Sequence, residues 1–199
     1  MNIDPQEIHG NWRAGYALDV HTVSSRPLPS GGYDTDRTEL GELVYQVKYR
    51  RSWSKIQSIA EIAAKFVKEG FVVDGHFVLP YLAAIIPMPP SDTNRFFQPV
   101  TESAKGMGRI LDLPVRTDYL IKVKETELIK NIPDVESKRA ELQGAFVVQS
   151  QDLKGRCVLL FDDIYESGET LTQATNILYE QGRVSRVFVL TLTQTRTKR

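Results

Sequence analysis

The chain has 199 residues, of which 41% are hydrophobic and 25% are charged, a composition typical of a globular protein with one sizeable core. Lys and Arg together number 25, as do Asp and Glu, so no overall field favours strong direct binding of nucleic acid. A single cysteine excludes an internal disulfide, and the apolar stretches are too short to cross a membrane. We expect a cytoplasmic protein, because the N-terminal residues resemble no secretion signal. The three histidines are far apart in the sequence, and we interpret them as surface or packing residues.

The N-terminal part predicts a hairpin followed by helices. Residues 12–23 alternate well enough for a β-strand, and a turn-rich segment leads to a second strand around Tyr33 that would close the hairpin. Helical spacing begins after Thr38, a candidate N-cap, and a second helix is predicted from Ser54 to Gly70. We expect residues 1–80 to form a small hairpin and helical appendage.

Residues 81–199 alternate between apolar strands and amphipathic helices. Strands are predicted at 83–86, near 115, at 145–148, at 156–161 and at 186–192, and helices at 98–111 and 169–180. Strands that are apolar throughout, separated by helices, indicate a parallel sheet covered on both faces. The predicted fold is therefore α/β, with a central mostly parallel sheet flanked by helices, and its ligands should bind at the carboxyl ends of the strands.

One such strand end, "VLLFDDIYESGET" at 158–170, combines two aspartates with a predicted phosphate cradle. A strand-to-helix turn directs backbone N–H groups at one point, Ser167 and Thr170 add hydroxyl donors, and Gly168 permits close approach. Asp162 and Asp163 would repel a bare anion, but they suit the hydroxyls or bound cation of a ligand that also carries a phosphate. Two aspartates alone would more often simply solvate a turn, whereas the whole pattern favours a site for a ribose 5-phosphate.

This stretch resembles the phosphoribosyl pyrophosphate (PRPP) signature of the type I phosphoribosyltransferases. The resemblance implies a fold of that type and assigns the ribose hydroxyls to Asp162 and Asp163. It assigns the 5-phosphate to a loop made of Glu166, Ser167, Gly168, Glu169 and Thr170. Glu166 also matches the acid that purine salvage enzymes of the family carry as a proposed base. Tyr165 departs from the pattern, because that position is usually aliphatic.

Further segments resemble the competence-associated ComF branch of the family. They are "LGELVYQVKYR" at 40–50, "IIPMPPSDTNRFFQPVTESAKGMGRIL" at 85–111 and "SKRAELQGAFVV" at 137–148. Together the resemblances cover most of residues 38–195. The branch usually opens with a four-cysteine zinc module, which this chain lacks, and residues 10–37 replace it with a cysteine-free hairpin.

The same resemblance predicts where pyrophosphate binds. The candidate residues are Pro87, Met88, Arg95, Lys138 and Arg139, since backbone N–H groups and arginines bind phosphate oxygens well. A proline-rich surface turn with a solvated arginine is the alternative for 87–95. Residues 122–143 are either a functional flap or a solvated loop.

The resulting hypothesis is an enzyme that transfers ribose 5-phosphate from PRPP, which brings Mg²⁺ with it, to an unknown nitrogenous acceptor. Asp162, Asp163 and Glu166 are the candidate catalytic residues, and no metal site is built by the protein alone. Two alternatives remain: a PRPP or nucleotide sensor without turnover, and a ComF-like accessory factor that binds a DNA-processing protein. The sequence indicates no oligomeric state. We divide the chain into an appendage at 1–80 and a phosphoribosyltransferase-like core at 81–199.

Overall fold

The structure is a computed structural model that describes residues 1–90, 96–123, 137 and 142–196. In chain order its strands are β1 (Gln6–Glu7), β2 (Ala14–Ala17), β3 (Thr22–Pro27), β4 (Tyr33–Arg37), β5 (Val72–Val73), β6 (His76–Phe77), β7 (Leu82–Pro87), β8 (Leu120–Lys122), β9 (Phe146–Val148), β10 (Cys157–Tyr165) and β11 (Arg186–Gln194). The α-helices with described bounds are α1 (Glu39–Arg50), α2 (Ile56–Glu69), α3 (Pro99–Leu111) and α4 (Glu169–Glu180).

A central five-stranded sheet organises the molecule, in the order β1-β2-β11-β10-β7. The strands β2, β11, β10 and β7 run parallel, and β1 is the antiparallel edge. Beyond β7, Val115 bridges to Ile85 in a parallel sense, so the strand predicted near 115 is only an isolated bridge. The α/β class with a central mostly parallel sheet flanked by helices, which the sequence predicts, is confirmed.

The sheet is buried on both faces because its middle strands are apolar on both sides. Val158 to Phe161 in β10 are fully buried, as are the residues of β11 from Val187 to Thr193 apart from slight exposure at two positions. Each leucine buried in this way contributes about 1.5–3 kcal/mol of hydrophobic free energy. Helices α1, α2 and α3 contribute to the apolar cluster on one face, and α4 with the β8–β9 pair contributes to the cluster on the other. No helix of the described part of the chain is both long and apolar enough to cross a bilayer.

The N-terminal hairpin exists, but its first strand begins later than predicted. The segment predicted as one strand at 12–23 is split: β2 joins the central sheet beside β11, and β3 pairs with β4 in an antiparallel hairpin. The short alternating pattern of β2 fits a strand of the central sheet as well as a strand of a hairpin, so the sequence could not assign its partner. Thr38 caps α1 as predicted, because its hydroxyl accepts from the Gly41 amide at 3.0 Å. The division at residue 80 stays a prediction, although β2, α1 and α2 all contribute to the main core.

The strand predicted at 145–148 belongs to a different sheet. Its observed form, β9, pairs antiparallel with β8, which the sequence did not indicate, and not with the central strands. Three residues in each strand are too few to show a period, so the pairing follows from tertiary packing, with Phe146 and Leu120 buried against the core. Residues 122–143, predicted as either a functional flap or a solvated loop, begin at the last residue of β8 and precede β9, and most of them lie outside the described residues.

Candidate functional site

The two aspartates stand where β10 has lost one of its two neighbours. β7 pairs with β10 as far as Pro87, opposite Phe161, whereas β11 continues beside β10 to the end of the strand. Asp162 and Asp163 follow directly and so lie at a step in the sheet, beside the carboxyl end of β7. Folds of this class bind ligands at such an edge.

The prediction that this strand ends at Phe161 is wrong, because β10 runs on to Tyr165. β11 is also longer than the predicted 186–192, and its Thr191 pairs in register with Asp162. The continued pairing satisfies the backbone groups that would otherwise end the strand. The acids consequently lie on a rigid strand and not in the following loop.

Asp163 forms an ion pair with Lys48, which is 115 residues away in the sequence. The Lys48 ammonium donates to both carboxylate oxygens, at 3.0 and 2.8 Å. The pair is sheltered, with the Lys48 side chain 27% exposed and the Asp163 side chain 13% exposed. Burial alone would lower the pKa of Lys48, but the charges of Asp163 and Asp162 and the hydrogen bond with Asp163 raise it overall, so the lysine is charged.

Sequence reasoning missed Lys48, although a signal was present. Leu40, Val44 and Lys48 follow one another at four-residue spacing, so they share one face of α1. Leu40 and Val44 are buried in the core. A lysine on such a face requires a partner, and an acid at a strand end supplies it.

Asp162 is the perturbed acid of the pair. Burial, followed by the negative charge of Asp163, raises the pKa of Asp162 to about 7, against the opposing effects of Lys48 and of a backbone hydrogen bond. That bond runs from the Asp163 amide to Oδ1 of Asp162 at 2.8 Å. Near neutral pH the Asp162 carboxyl is therefore protonated in some molecules and ionised in others. The protonated form can donate a hydrogen bond as well as accept one.

A histidine lies behind the acids and was not expected there. His21 Nδ1 is 3.1 Å from the Thr193 hydroxyl, which in turn donates to the Asp163 carbonyl oxygen at 3.4 Å. Burial, then the charges of Arg37 and Lys48, lowers the pKa of His21, so the ring is neutral at neutral pH. The chain of contacts fixes the backbone of Asp163 from the side of β11.

The predicted phosphate loop leads directly into α4. The helix occupies the predicted residues 169–180, and its N-cap, Gly168, has a φ of +77°, in the left-handed region that glycine adopts most readily. The N–H groups of the first helical turn have no partner within the helix, and the helix dipole adds positive potential there. Glu166 and Ser167 are exposed, Thr170 is half-buried and Glu169 is buried.

Tyr165, the departure from the family pattern, supports this loop. A Cβ atom built on Gly168 would lie 2.8 Å from the Tyr165 hydroxyl oxygen and 2.9 Å from ring atom Cε2, so the ring is close to the Gly168 backbone. The hydroxyl donates to the His9 carbonyl oxygen at 3.4 Å. Burial and the charge of Glu169 raise the pKa of Tyr165, which keeps the hydroxyl protonated. The larger residue thus links the loop to the N-terminal segment.

The described part of the predicted pyrophosphate region borders the acids. Pro87 pairs in register with Phe161, and the Met88 amide donates to the Phe161 carbonyl oxygen at 2.8 Å. A cavity of about 140 Å³ adjoins them, lined by Pro87, Met88, Pro89, Pro90, Thr101, Thr117, Leu120, Ile121 and Lys122. The remaining candidates, Arg95, Lys138 and Arg139, lie outside the described residues.

No family model matches the chain, and no curated protein matches it. Solved structures similar to it include type I phosphoribosyltransferases and related enzymes. UMP synthase of Leishmania donovani is 18% identical with a TM-score of 0.40, over 83% of this chain and 27% of that one. Glutamine PRPP amidotransferase of B. subtilis, complexed with ADP and GMP, is 16% identical with a TM-score of 0.48, over 82% and 34%. Adenine phosphoribosyltransferase of Leishmania tarentolae is 11% identical with a TM-score of 0.46, over 97% and 95%.

The chain spans about a third or less of the first two proteins. TM-scores between 0.40 and 0.48 describe a distant likeness. The function of this chain has to be argued from its own residues.

Proposed function

We propose that the chain binds PRPP and transfers its ribose 5-phosphate to a nitrogenous acceptor, releasing pyrophosphate. One observation carries the proposal: Asp162, Asp163 and the N-terminus of α4 share a single strand–turn–helix unit, at the step where β7 ends beside β10. PRPP offers matching groups, because its ribose diol and its 5-phosphate belong to one rigid sugar. A simple anion would gain nothing from the carboxylates.

In this proposal the 5-phosphate binds to the loop from Glu166 to Thr170. The first-turn N–H groups of α4 donate to the phosphate oxygens, with the hydroxyls of Ser167 and Thr170 beside them. Gly168 adopts the left-handed backbone that leads into α4, and the Tyr165 ring occupies the space that a Cβ atom there would need.

Asp162 and Asp163 accept hydrogen bonds from the two ribose hydroxyls. Support comes from the burial of Asp163 and from its fixed backbone, since a rigid acceptor loses little freedom when the ligand binds. The diphosphate then extends towards Pro87 and Met88, where Arg95, Lys138 and Arg139 are the proposed cationic partners. Mg²⁺ arrives as part of the PRPP substrate, whose diphosphate oxygens it binds.

The chemistry is mainly positioning and electrostatic stabilisation. The bond between ribose C1 and the pyrophosphate oxygen breaks, and pyrophosphate leaves with the electron pair. Positive charge develops on the sugar, and the ionised carboxylate of Asp163 stabilises it together with that of Asp162. The acceptor nitrogen forms the new bond to C1, and its proton passes to Glu166 as general base. Closure of the proposed flap at 122–143 would exclude water.

Pyrophosphate release tests the proposal. The protein is incubated with Mg²⁺, PRPP and a panel of nitrogenous acceptors, and pyrophosphate is measured enzymatically, with Asp163→Asn as the matched inactive control. Release above the control that depends on one acceptor supports the transferase. A panel without release, together with saturable PRPP binding, would instead support the sensor.

The sensor is the second candidate, and the acidic side chains of the loop favour it. Glu166 and Glu169 bring two negative charges to the phosphate loop, and like charges weaken phosphate binding. A sensor tolerates such weakening if its ligand is abundant. The resemblance to the ComF branch supports a third role, as an accessory factor beside a DNA-processing protein in the cytoplasm. A stable complex with such a protein would distinguish that role.

A further inference from the structure

Lys48 brings a cation from α1 into the candidate site. Its ammonium contacts both carboxylate oxygens of Asp163, at 3.0 and 2.8 Å. Asp162 lies one residue away on the same strand, and its charge also acts on Lys48. The lysine therefore belongs to the acid pair as a third charged group.

The fold commits Lys48 to this position. Leu40 and Val44, on the same face of α1, are buried beneath the helix. A sheltered ammonium is costly unless it is paired and hydrogen-bonded, so the lysine has little alternative to Asp163. Conversely, Asp163 is held in one orientation by the lysine at its carboxylate and by Thr193 at its backbone oxygen.

The charge of the acid pair would otherwise oppose the proposed ligand. PRPP and ribose 5-phosphate are anions, and two ionised carboxylates beside the sugar would repel the phosphate. Enzymes commonly neutralise such a pair with a divalent cation that binds the carboxylates. Here an internal ammonium already supplies positive charge at that point.

We propose that Lys48 is a positioning residue of the sugar phosphate site, which orients Asp163 and neutralises part of the acid pair so that the ribose 5-phosphate moiety binds without a metal ion at the carboxylates. The inference rests on the proposed function. It adds that Mg²⁺ is needed for the diphosphate of PRPP and not for the ribose end of the site.

The test uses ribose 5-phosphate, which carries the diol and the phosphate but no diphosphate. Calorimetric titrations are made with and without Mg²⁺ on the wild type, Lys48→Met and Lys48→Arg. Lys65→Met, which removes a charge from the exposed face of α2, is the matched control. We expect wild-type and control affinities to change less than about twofold with Mg²⁺. Lys48→Met should bind about tenfold more weakly without Mg²⁺ and recover with it, because the unpaired carboxylates then attract the ion.

Lys48→Arg should remain within about threefold of the wild type, because the charge is kept. A purely structural role would not create a new dependence on Mg²⁺. If Lys48→Met fails to fold by circular dichroism, Lys48→Gln provides a neutral side chain that can still donate to Asp163, and the same Mg²⁺ dependence is expected.

Two results would overturn the inference, and they differ. Wild-type binding that neutral variants at position 48 leave unchanged in both conditions would refute the role of Lys48 and leave the proposed function intact. A wild type that binds neither ribose 5-phosphate nor PRPP would refute the proposed function, and the role of Lys48 with it.

Discussion

The substitution Asp162→Asn should stabilise the protein at alkaline pH. The pKa of Asp162 is raised from its ordinary value of 3.8 to about 7 by burial and by the neighbouring charge of Asp163. A raised carboxyl pKa means that the folded protein holds a proton that the unfolded chain has released. Its stabilising contribution is complete below the unfolded pKa of 3.8 and is lost as the pH rises through about 7. The variant would not show this loss, because an amide side chain does not titrate.

The magnitude follows from the size of the shift. About three pH units, at 1.36 kcal/mol each, correspond to about 4 kcal/mol when the carboxyl is fully ionised in both states. Part of this loss is already present at pH 5, where the unfolded chain is ionised and the folded protein is not. Allowing for water at the partly exposed carboxyl, we expect the stability difference between variant and wild type to increase by about 1–3 kcal/mol from pH 5 to pH 8.

Urea denaturation at both pH values measures this difference. Subtracting the free energy of unfolding of the wild type from that of the variant at each pH cancels the contribution of titratable groups that the substitution does not affect. Asp34→Asn, at an exposed position of the β3–β4 hairpin, is the matched control, and we expect it to show no such increase. A difference for Asp162→Asn that stays constant between pH 5 and pH 8, or that falls, would show that Asp162 is an ordinary exposed carboxylate.

Three further substitutions examine the neighbouring contacts. Gly168→Val should abolish PRPP binding in calorimetry while the circular dichroism spectrum stays native, because the valine side chain meets the Tyr165 ring and the positive φ becomes strained. Retained PRPP binding would show that the 5-phosphate binds elsewhere. Asp163→Asn should lower the free energy of unfolding by about 1–3 kcal/mol, because Lys48 loses its ionised partner, and should also remove PRPP binding. Unchanged urea stability would contradict that pairing. Tyr165→Phe removes only the 3.4 Å bond to His9, so stability should change by less than about 1 kcal/mol and PRPP affinity by about twofold at most; a larger loss would give the hydroxyl a direct role.

The local pattern of the sequence was sufficient to predict the strand–turn–helix unit at 158–180. Apolar residues followed by Ser, Gly and a helical stripe give the type and order of these elements, and α4 has the predicted bounds. The predicted end of β10 was wrong because polar residues such as Asp162 interrupt a run of apolar residues without ending the strand. Its continuation depends on β11, whose extent is a property of the fold and not of the segment itself.

The relation of Lys48 to Asp163 illustrates what local patterns omit. The four-residue spacing from Leu40 shows that this lysine shares the face of buried residues, but it gives no partner, because the partner lies on a distant strand. The same limit applies to β2, whose sequence permits a strand of a hairpin or a strand of the central sheet. Tertiary packing against β11 decides between them.

The most direct test of the PRPP site is calorimetric titration of the wild-type protein with PRPP in the presence and absence of Mg²⁺. We expect saturable binding at one site that strengthens with Mg²⁺ and is lost in Gly168→Val. If PRPP does not bind in either condition, and ribose 5-phosphate and nucleotides do not bind either, the proposed PRPP site is contradicted. The carboxylate pair and the α4 N-terminus would then not form a sugar phosphate site.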